Sequence, residues 1–230
     1  MSGGEQQLVS APKDDRDREA VQVRLMNAYG VSRETLRRFE SYEALLTKWA
    51  PRINLVGAST LSAFWERHIL DSVQILPLAS PQAQTWVDFG TGAGFPGLVL
   101  AALLAERGSA QVQLVEASAK RCAFLREAAR AMEITVEITH AKLEAVTPHP
   151  VDVVTARAFT ALDRLLAYAA PWQGPATQAL FPKGEEVSAE LEQASTNWLF
   201  TSTIHPSASD TRGCVLEITN WQSKAGPTSS

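Results

Sequence analysis

The stretch WVDFGTGAGFPG, residues 86–97, carries the strongest structural signal in the sequence. Its apolar start predicts a β-strand and its alternating glycines predict a tight loop. Pro96 predicts the start of a helix, because proline is pre-set for the first helical turn. Glycines in such a loop allow a sharp turn and let a ligand approach the main chain closely, and the helix N-terminus suits a carboxylate or a phosphate. The stretch therefore predicts a strand–loop–helix unit with a ligand site at its glycines; the alternative is a turn that binds nothing.

Strand-like and helix-like segments alternate from residue 85 to about residue 194. This alternation predicts a parallel sheet with helices on both faces. The last two strand-like segments, NWLFTSTI (197–204) and GCVLEITN (213–220), have no helix between them and predict an antiparallel hairpin at one sheet edge. We therefore predict an α/β fold over residues 81–222, a Rossmann-like sheet that resembles the class I S-adenosylmethionine methyltransferases.

The N-terminal part of the sequence has helical periodicity without strands. Apolar residues recur at three- and four-residue steps from Ser32 to Pro51, and again from near Ser59 towards Pro77. Residues 18–80 are therefore predicted to form an N-terminal helical extension. Residues 1–17 and 223–230 are polar and are predicted to be tails, the first of them mobile.

The composition is that of a globular chain with little net charge. Its 21 Lys and Arg and 25 Asp and Glu give a net charge of −4 over 230 residues, which argues mildly against binding a polyanion over the whole surface. Two cysteines are too few for a disulfide framework or a four-cysteine zinc site, and they suit a reducing compartment. Neither a secretory signal nor an apolar run of about 18 residues is found. We therefore expect a cytoplasmic protein without membrane contact or metal.

The glycine loop fits two classes of ligand. Gly92, Gly94 and Gly97 satisfy the dinucleotide pattern G-x-G-x-x-G, but the first glycine after the strand is Gly90, which gives G-x-G-x-G instead. Asp88 would repel a pyrophosphate, whereas it could accept a hydrogen bond from the ammonium group of an amino-acid-like ligand. S-adenosylmethionine has such a group and NAD does not. The alternative for Asp88 is a structural role, bonding the amides of the loop.

A carboxylate also ends the second predicted strand. Glu116 stands about where the Rossmann scheme places an acidic side chain on ribose hydroxyl groups. The alternative is a solvated charge that caps the next helix at Ser118. We favour the ribose contact.

Six segments together resemble the successive blocks of the small-subunit ribosomal RNA methyltransferase G family, also called glucose-inhibited division protein B. They are, in order, LLTKWAPRINLVGAST, WERHILDSVQIL, VDFGTGAGFPGLVLA, LVEASAKRCAFLREA, VDVVTARAFTALDRLL and ALFPKG, within residues 45–185. The resemblance implies an enzyme that transfers the methyl group of S-adenosylmethionine to N7 of one guanine in a loop of small-subunit ribosomal RNA. Its partner would be that RNA or its ribonucleoprotein particle.

The resemblance also implies individual cofactor contacts. The family's first loop glycine corresponds to Gly90, and its bulky apolar residue after the third glycine corresponds to Phe95. The pair beside the adenine corresponds to Leu143 and Glu144, and the arginine of the Arg-Ala-Phe block to Arg157. The loop has alanine where many relatives have proline, a departure that leaves these expectations unchanged.

The implied chemistry needs few catalytic groups. Guanine N7 has a free lone pair and no proton, so its attack on an activated methyl group needs no general base, and catalysis depends on proximity and orientation. Cys122 and Cys214 are interpreted as buried hydrophobic residues rather than nucleophiles. Arg157 and Lys183, at the ends of the fourth and fifth strands, are candidates for positioning the substrate. The alternative for Arg157 is an ion pair with a local acidic residue such as Asp163.

Two further groups have both a structural and a functional interpretation. His68 and Asp71 lie three residues apart on one helix face, where they belong to the site or join the helical extension to the sheet. The helix after the second strand carries four basic residues, which form a strip for RNA or, more commonly, a solvated helix face. They are Lys120, Arg121, Arg126 and Arg130.

Three alternative functions remain open at this stage. A small-molecule methyltransferase on the same fold would act without RNA. A non-catalytic nucleotide- or RNA-binding module would show no turnover. An NAD-dependent oxidoreductase would bind NAD in place of S-adenosylmethionine. We expect the protein to be a monomer.

Overall fold

The computed structural model describes residues 13–57, 61–108 and 110–225, and within these ranges the predicted strands form one seven-stranded sheet. The strands are β1 (Thr85–Phe89), β2 (Gln111–Glu116), β3 (Glu137–His140), β4 (Val151–Ala156), β5 (Gln173–Lys183), β6 (Trp198–Pro206) and β7 (Cys214–Ser223). Their order across the sheet is β3-β2-β1-β4-β5-β7-β6. Strands β1 to β5 pair in parallel, and β7 lies antiparallel between β5 and β6. The predicted α/β sheet with an antiparallel hairpin is confirmed.

Helices precede the sheet and cover both of its faces. They are α1 (Lys13–Tyr29), α2 (Arg33–Trp49), a π-helix (Trp65–Leu70) continued by α3 (Asp71–Val73), α4 (Gly97–Ala105), α5 (Ala119–Ala131), α6 (Leu162–Ala169) and α7 (Val187–Asn197). Short 3₁₀-helices span Leu76–Leu78, Leu143–Ala145 and Ala170–Trp172. Among these described helices, none has the length and apolar character that a membrane crossing requires.

Helix α2 forms where its sequence pattern predicts it. The hydroxyl of Ser32 accepts a hydrogen bond from the Thr35 amide at 3.0 Å and caps the first turn. The apolar side chains at three- and four-residue steps, Phe39, Tyr42 and Leu46 among them, are fully buried on one face. This face packs the N-terminal helices against the sheet.

The second predicted helix is irregular instead of continuous. The segment Trp65–Leu70 winds as a π-helix, and α3 follows it for a single turn. The wider winding buries three successive residues, His68, Ile69 and Leu70, which a regular α-helix facing one core would not do. Tertiary packing therefore overrides the local helical pattern, and the predicted start near Ser59 lies outside the described residues.

The predicted N-terminal tail is wrong for residues 13–17, because α1 begins at Lys13. Charged residues such as Lys, Arg and Glu are good helix formers, and the buried Leu25 anchors the helix to the core. Residues 1–12 lie outside the described part of the chain, as do residues 226–230. Ser223 ends strand β7 and does not begin a tail. The other domain boundaries stay predictions.

Two apolar cores lie on opposite faces of the sheet. One core joins β1 and β2 to the N-terminal helices and α4, and it includes Phe39, Trp86 and Leu98. The other joins the sheet to α6 and α7, and it includes Phe89 and Phe181. The carboxyl ends of the parallel strands between these cores form the edge where open α/β sheets place ligands.

Candidate active site

The glycine loop follows β1 at this carboxyl edge, and its backbone requires glycine. Gly90, Gly92 and Gly94 have φ angles of +59°, +60° and +100°, which L-residues with a side chain rarely adopt. A Cβ atom on Gly97, at the start of α4, would lie 2.3 Å from Cδ2 of Leu114. The left-handed glycines form the tight turn of the loop, and Gly97 allows α4 to pack closely on the sheet.

The N-terminal extension covers one side of this loop. The Tyr42 hydroxyl donates a hydrogen bond to the carbonyl of Ala93, and the Phe95 ring stacks on His68 with centroids 4.5 Å apart. Gly94 and Phe95 are therefore buried in the contact between the loop and the extension. Gly90 and Gly92 stay partly exposed, so they are the part of the loop that a ligand can reach.

Asp88 points into the loop and is almost completely buried. Its carboxylate accepts hydrogen bonds from the Gly97 amide at 3.1 Å and from the Thr155 hydroxyl at 2.8 Å. Burial raises the pKa of Asp88 to about 6, even though these hydrogen bonds favour the charged form. This geometry supports the structural alternative for Asp88, which ties the loop to α4 and β4.

Glu116 ends β2 beside the loop and bonds two amides. One carboxylate oxygen accepts from the Gly92 amide at 3.0 Å, and the other accepts from the Ser118 amide at 2.8 Å. The guanidinium of Arg121 lies 3.8 Å away. The carboxylate is buried, so it is not the solvated charge of the alternative, although it does bond the amide of Ser118, the N-cap residue of α5. It also lies directly at the glycine loop, as the ribose prediction requires.

Leu143 and Glu144 form a 3₁₀ turn after β3 and connect to the far side of the loop. Leu143 is buried, whereas Glu144 is exposed and accepts a hydrogen bond from the Tyr168 hydroxyl. The Tyr168 ring lies 5.8 Å from the Phe159 ring, and Phe159 in turn contacts Gly90. Tyr168 and Phe159 therefore connect Glu144, one of the two residues predicted to lie beside the adenine, to Gly90.

Arg157 is held by the π-helical segment, and it forms the ion pair of the structural alternative with Asp71 instead of Asp163. One guanidinium nitrogen donates to the carboxylate of Asp71 at 3.2 Å and to the Arg67 carbonyl at 3.1 Å. The other lies 3.1 Å from Nδ1 of His68. Asp163 instead accepts from Asn197, because α6 carries it away from the strand end. His68 and Asp71 therefore both join the extension to the sheet and orient Arg157.

His68 acts in this group as a neutral acceptor. Burial, followed by the nearby charges of Arg157 and Arg67, lowers the pKa of His68 to about 3. The unprotonated Nδ1 can then accept the guanidinium hydrogen bond. The guanidinium also lies 5.0 Å from the centroid of the Phe95 ring, which adds a cation–π contact. Arg157 is thus fixed in position before any substrate arrives.

A cleft of about 800 Å³ opens in front of Arg157. Its walls come from the ends of β4 and β5, the π-helical segment and the loop between β6 and β7. Four basic side chains line it, and acidic residues pair with each of them. They are Arg67 with Asp210, Arg157 with Asp71, Lys183 with Glu190, and Arg212 with Glu185 and Asp210.

Lys183 is less available for RNA than its sequence position indicates. Its ammonium lies 2.6 Å from the Glu190 carboxylate, and its side chain is only 10% exposed. Glu190 also accepts from the Leu162 amide and so fixes the pair to α6. The contact of Lys183 with RNA stays a prediction, and it would require this ion pair to open.

The basic residues of α5 form a solvated helix face. Lys120, Arg126 and Arg130 are exposed, whereas Arg121 turns towards Glu116 and the Asn54 carbonyl. Within the described ranges, no three His, Cys, Asp or Glu side chains cluster closely enough to bind a metal ion.

We predict that Cys122→Ala leaves methyl transfer within about twofold of the native rate. The Cys122 thiol is fully buried in α5, lies 3.3 Å from the Glu116 carbonyl, and has its pKa raised by burial, so it is unsuited to nucleophilic attack. Steady-state methylation assays at equal concentrations of folded protein check this, with Cys214→Ala as the matched variant. An inactive but folded Cys122→Ala protein would require a covalent mechanism.

The site contains residues that the sequence pattern did not single out. Phe159 and Tyr168 were missed, although an aromatic residue two positions after Arg157, in a loop at a strand end, was an available signal. Arg67 was missed because its contribution to the Arg157 contacts is a main-chain carbonyl, which no side-chain pattern reveals. The pairing of Asp71 with Arg157 crosses 86 positions of sequence and depends on the fold.

The strand order and the glycine loop place the chain in the fold class of the S-adenosylmethionine-dependent methyltransferases. A TehB-like S-adenosylmethionine-dependent methyltransferase from Corynebacterium glutamicum superposes with a TM-score of 0.53 at 14% identity. The match covers 78% of this chain and 98% of that one. At this identity the likeness shows the shared fold.

Sequence comparison defines the family. Residues 35–214 match the family model described as rRNA small subunit methyltransferase G, so the chain belongs to this family. A ribosomal RNA small subunit methyltransferase G from Paramagnetospirillum magneticum is 47% identical over 84% of this chain and 93% of its own length. The protein of the same description from Methylobacterium radiotolerans is 45% identical over 86% and 93%. The expected family and fold class are confirmed.

Proposed function

We propose that the protein transfers the methyl group of S-adenosylmethionine to N7 of one guanine in a loop of small-subunit ribosomal RNA. The observation that carries the proposal is the shared edge of the sheet, where Phe159, which lines the cleft that holds Arg157, packs against Gly90 of the glycine loop. Membership of the rRNA small subunit methyltransferase G family supports the same reaction. A donor held at the loop and an acceptor held in the cleft would then be neighbours.

The residues of this edge fit the proposed cofactor. Gly90 and Gly92 present main chain without a Cβ atom, and the Glu116 carboxylate beside Gly92 suits ribose hydroxyl groups. The three atoms nearest to a Cβ built on Gly90 all belong to the Phe159 ring, which packs against this glycine from the cleft. We infer that Gly90, Gly92, Glu116, the Leu143–Glu144 pair and Arg157 hold the cofactor, with Asp88, Gly94 and Phe95 supporting the loop from inside.

The protein's contribution to the reaction is to orient the acceptor. Bound S-adenosylmethionine supplies a methyl group already activated by a positively charged sulfur. Because N7 carries no proton, no side chain has to act as a base, and the neutral His68 and the paired Asp71 are not required as bases. Arg157, fixed by three contacts, would orient the ligands at the boundary between loop and cleft.

The acceptor is inferred to be an unpaired guanine. The deep major groove of an A-form helix hides N7, so the base has to be single-stranded or extruded to enter a cleft. The balanced charges of this cleft favour capture of a base over tracking of a long phosphate backbone. We infer a cytoplasmic monomer that recognises ribosomal RNA or its particle locally.

A labelling experiment tests this function. The protein is incubated with radiolabelled S-adenosylmethionine and with either naked small-subunit RNA or small-subunit particles from a strain that lacks the activity. We expect label in 7-methylguanosine after nucleoside analysis, because the proposed acceptor is guanine N7 and its attack requires no general base. Label in another nucleoside would overturn the N7 assignment, and tight cofactor binding without RNA labelling would favour a small-molecule acceptor. If NAD raised the melting temperature of the protein and S-adenosylmethionine did not, the proposed cofactor would be wrong.

A further inference from the structure

Phe159 is an exposed aromatic side chain at the centre of the site. Its exposed fraction is 37%, and it lines the cleft immediately after Arg157. Three other large apolar side chains of the described residues are this exposed, and all are aliphatic and lie outside the cleft: Val23, Leu199 and Ile204. Phe159 is thus the exposed aromatic ring of a cleft whose other lining residues are charged, polar, glycine or aliphatic, apart from the buried His68.

The backbone presents this ring in a defined position. Ala158, directly before it, has a φ of +50°, a left-handed conformation that costs about 1–2 kcal/mol for an L-residue. The ring packs on Gly90, where a Cβ would lie 2.3 Å from its Cδ2 atom, and its centroid is 5.8 Å from that of Tyr168. Strained backbone is retained where the surrounding structure requires it, and it is frequent at functional sites.

The chemistry of an extruded base accounts for such a ring. A base that leaves its stack loses its neighbours, and proteins replace them with aromatic side chains. The cleft offers cations for phosphate and polar edges, but among its described lining residues Phe159 is the one aromatic ring apart from the buried, stacked imidazole of His68. The contact of Phe159 with Gly90 places its ring at the glycine loop, so a base stacked on it would also lie at the loop.

We propose that Phe159 is the stacking platform that positions the acceptor guanine against the methyl donor. The proposal rests on the proposed function, since it requires a base as the acceptor. It assigns Phe159 to the acceptor and not to the cofactor. Phe159 therefore sets the affinity for RNA and the orientation of N7, whereas Glu116 and the loop glycines set the affinity for S-adenosylmethionine.

Three substitutions test this assignment. Phe159→Leu keeps an apolar side chain and removes the aromatic face, Phe159→Ala removes both, and Phe159→Trp keeps a face for stacking. We expect kcat/KM for the RNA substrate to fall about tenfold to a hundredfold in the Leu and Ala variants, because stacking contributes that much per base, and to recover largely in the Trp variant. Because the proposal assigns the ring to the acceptor, the Kd for S-adenosylmethionine, measured by calorimetry without RNA, should change far less than kcat/KM.

Leu199→Ala serves as the matched control. Leu199 is 50% exposed on the edge strand β6 and lies outside the cleft, so its truncation should leave both constants unchanged. Native activity of the Phe159→Leu variant would overturn the proposal, because an apolar contact without aromatic character would then suffice. A loss of cofactor affinity that matches the loss of activity would also overturn it and make Phe159 a cover for the cofactor.

The same assays separate this proposal from the proposed function. If the native protein forms no 7-methylguanosine, the proposed function fails, whatever the variants do. If the native protein forms it and the Phe159 variants keep their RNA affinity, only the stacking role fails. Far-ultraviolet circular dichroism and melting temperatures confirm that each variant is folded before its constants are compared.

Discussion

Gly90→Asp is expected to weaken S-adenosylmethionine binding by about a hundredfold or more. The substitution places a side chain at a φ of +59°, brings its Cβ to within 2.3 Å of the Phe159 ring, and adds a negative charge to the loop whose Gly92 amide already donates to the Glu116 carboxylate. The new side chain occupies the space through which a ligand approaches the main chain. Isothermal titration with S-adenosylmethionine measures the loss directly, without any RNA.

Gly30→Asp provides a control for the strain of a left-handed aspartate. Gly30 has a φ of +66° between α1 and α2, and no atom lies within 4 Å of a Cβ built on it. The two variants should therefore lose similar stability, about 1 kcal/mol, from backbone strain alone, while only Gly90→Asp loses the cofactor. Gly90→Ala supplies a folded variant if the aspartate proves too disruptive. Unchanged affinity in a folded Gly90 variant would remove this glycine from the cofactor site.

Arg157→Ala is expected to lower kcat/KM for RNA methylation about a hundredfold. The substitution removes the one guanidinium that links the end of β4 to Asp71, His68 and the Arg67 carbonyl at the boundary between loop and cleft. The substitution should also lower the free energy of unfolding by about 1–3 kcal/mol, because the largely buried Asp71 carboxylate loses the guanidinium to which it is hydrogen-bonded. Urea unfolding measures this cost separately from the kinetic loss.

Arg157→Lys separates charge from geometry. Lysine keeps the positive charge beside Asp71 but lacks the planar fork that contacts three groups at once, so we expect stability to recover more than activity. Equal recovery of both would show that Arg157 serves only as a structural ion pair. Retention of full activity by a folded Arg157→Ala protein would exclude the arginine from the site.

Local sequence was sufficient to predict the parts of the fold that depend on nearest neighbours. The strand, the tight glycine loop and the helix of residues 86–97 were predicted because glycine frees the backbone and proline restricts it wherever they occur. The alternation of strands and helices predicted the parallel sheet, and the missing last helix predicted the antiparallel hairpin. The buried face of α2 followed from its apolar period.

The roles of charged residues depended on contacts that no local pattern contains. Asp88 and Glu116 both end strands, yet Asp88 points inwards to Gly97 and Thr155 while Glu116 faces the exposed glycines. Lys183 has a position suited to RNA, but α7 brings Glu190 against it. An ion pair depends on the distance between two elements, and that distance is set by packing of the whole chain.

The sequence by itself determined the α/β sheet, the glycine loop, the family and the class of chemistry, since these depend on periodicity, backbone preference and ordered motifs. Only the tertiary structure decided that the π-helical segment Trp65–Leu70 and Asp71 hold Arg157, and that Phe159 lies on Gly90. Both contacts join residues more than 60 positions apart, and they form because the carboxyl ends of β1 and β4 are adjacent and the N-terminal helices pack across them.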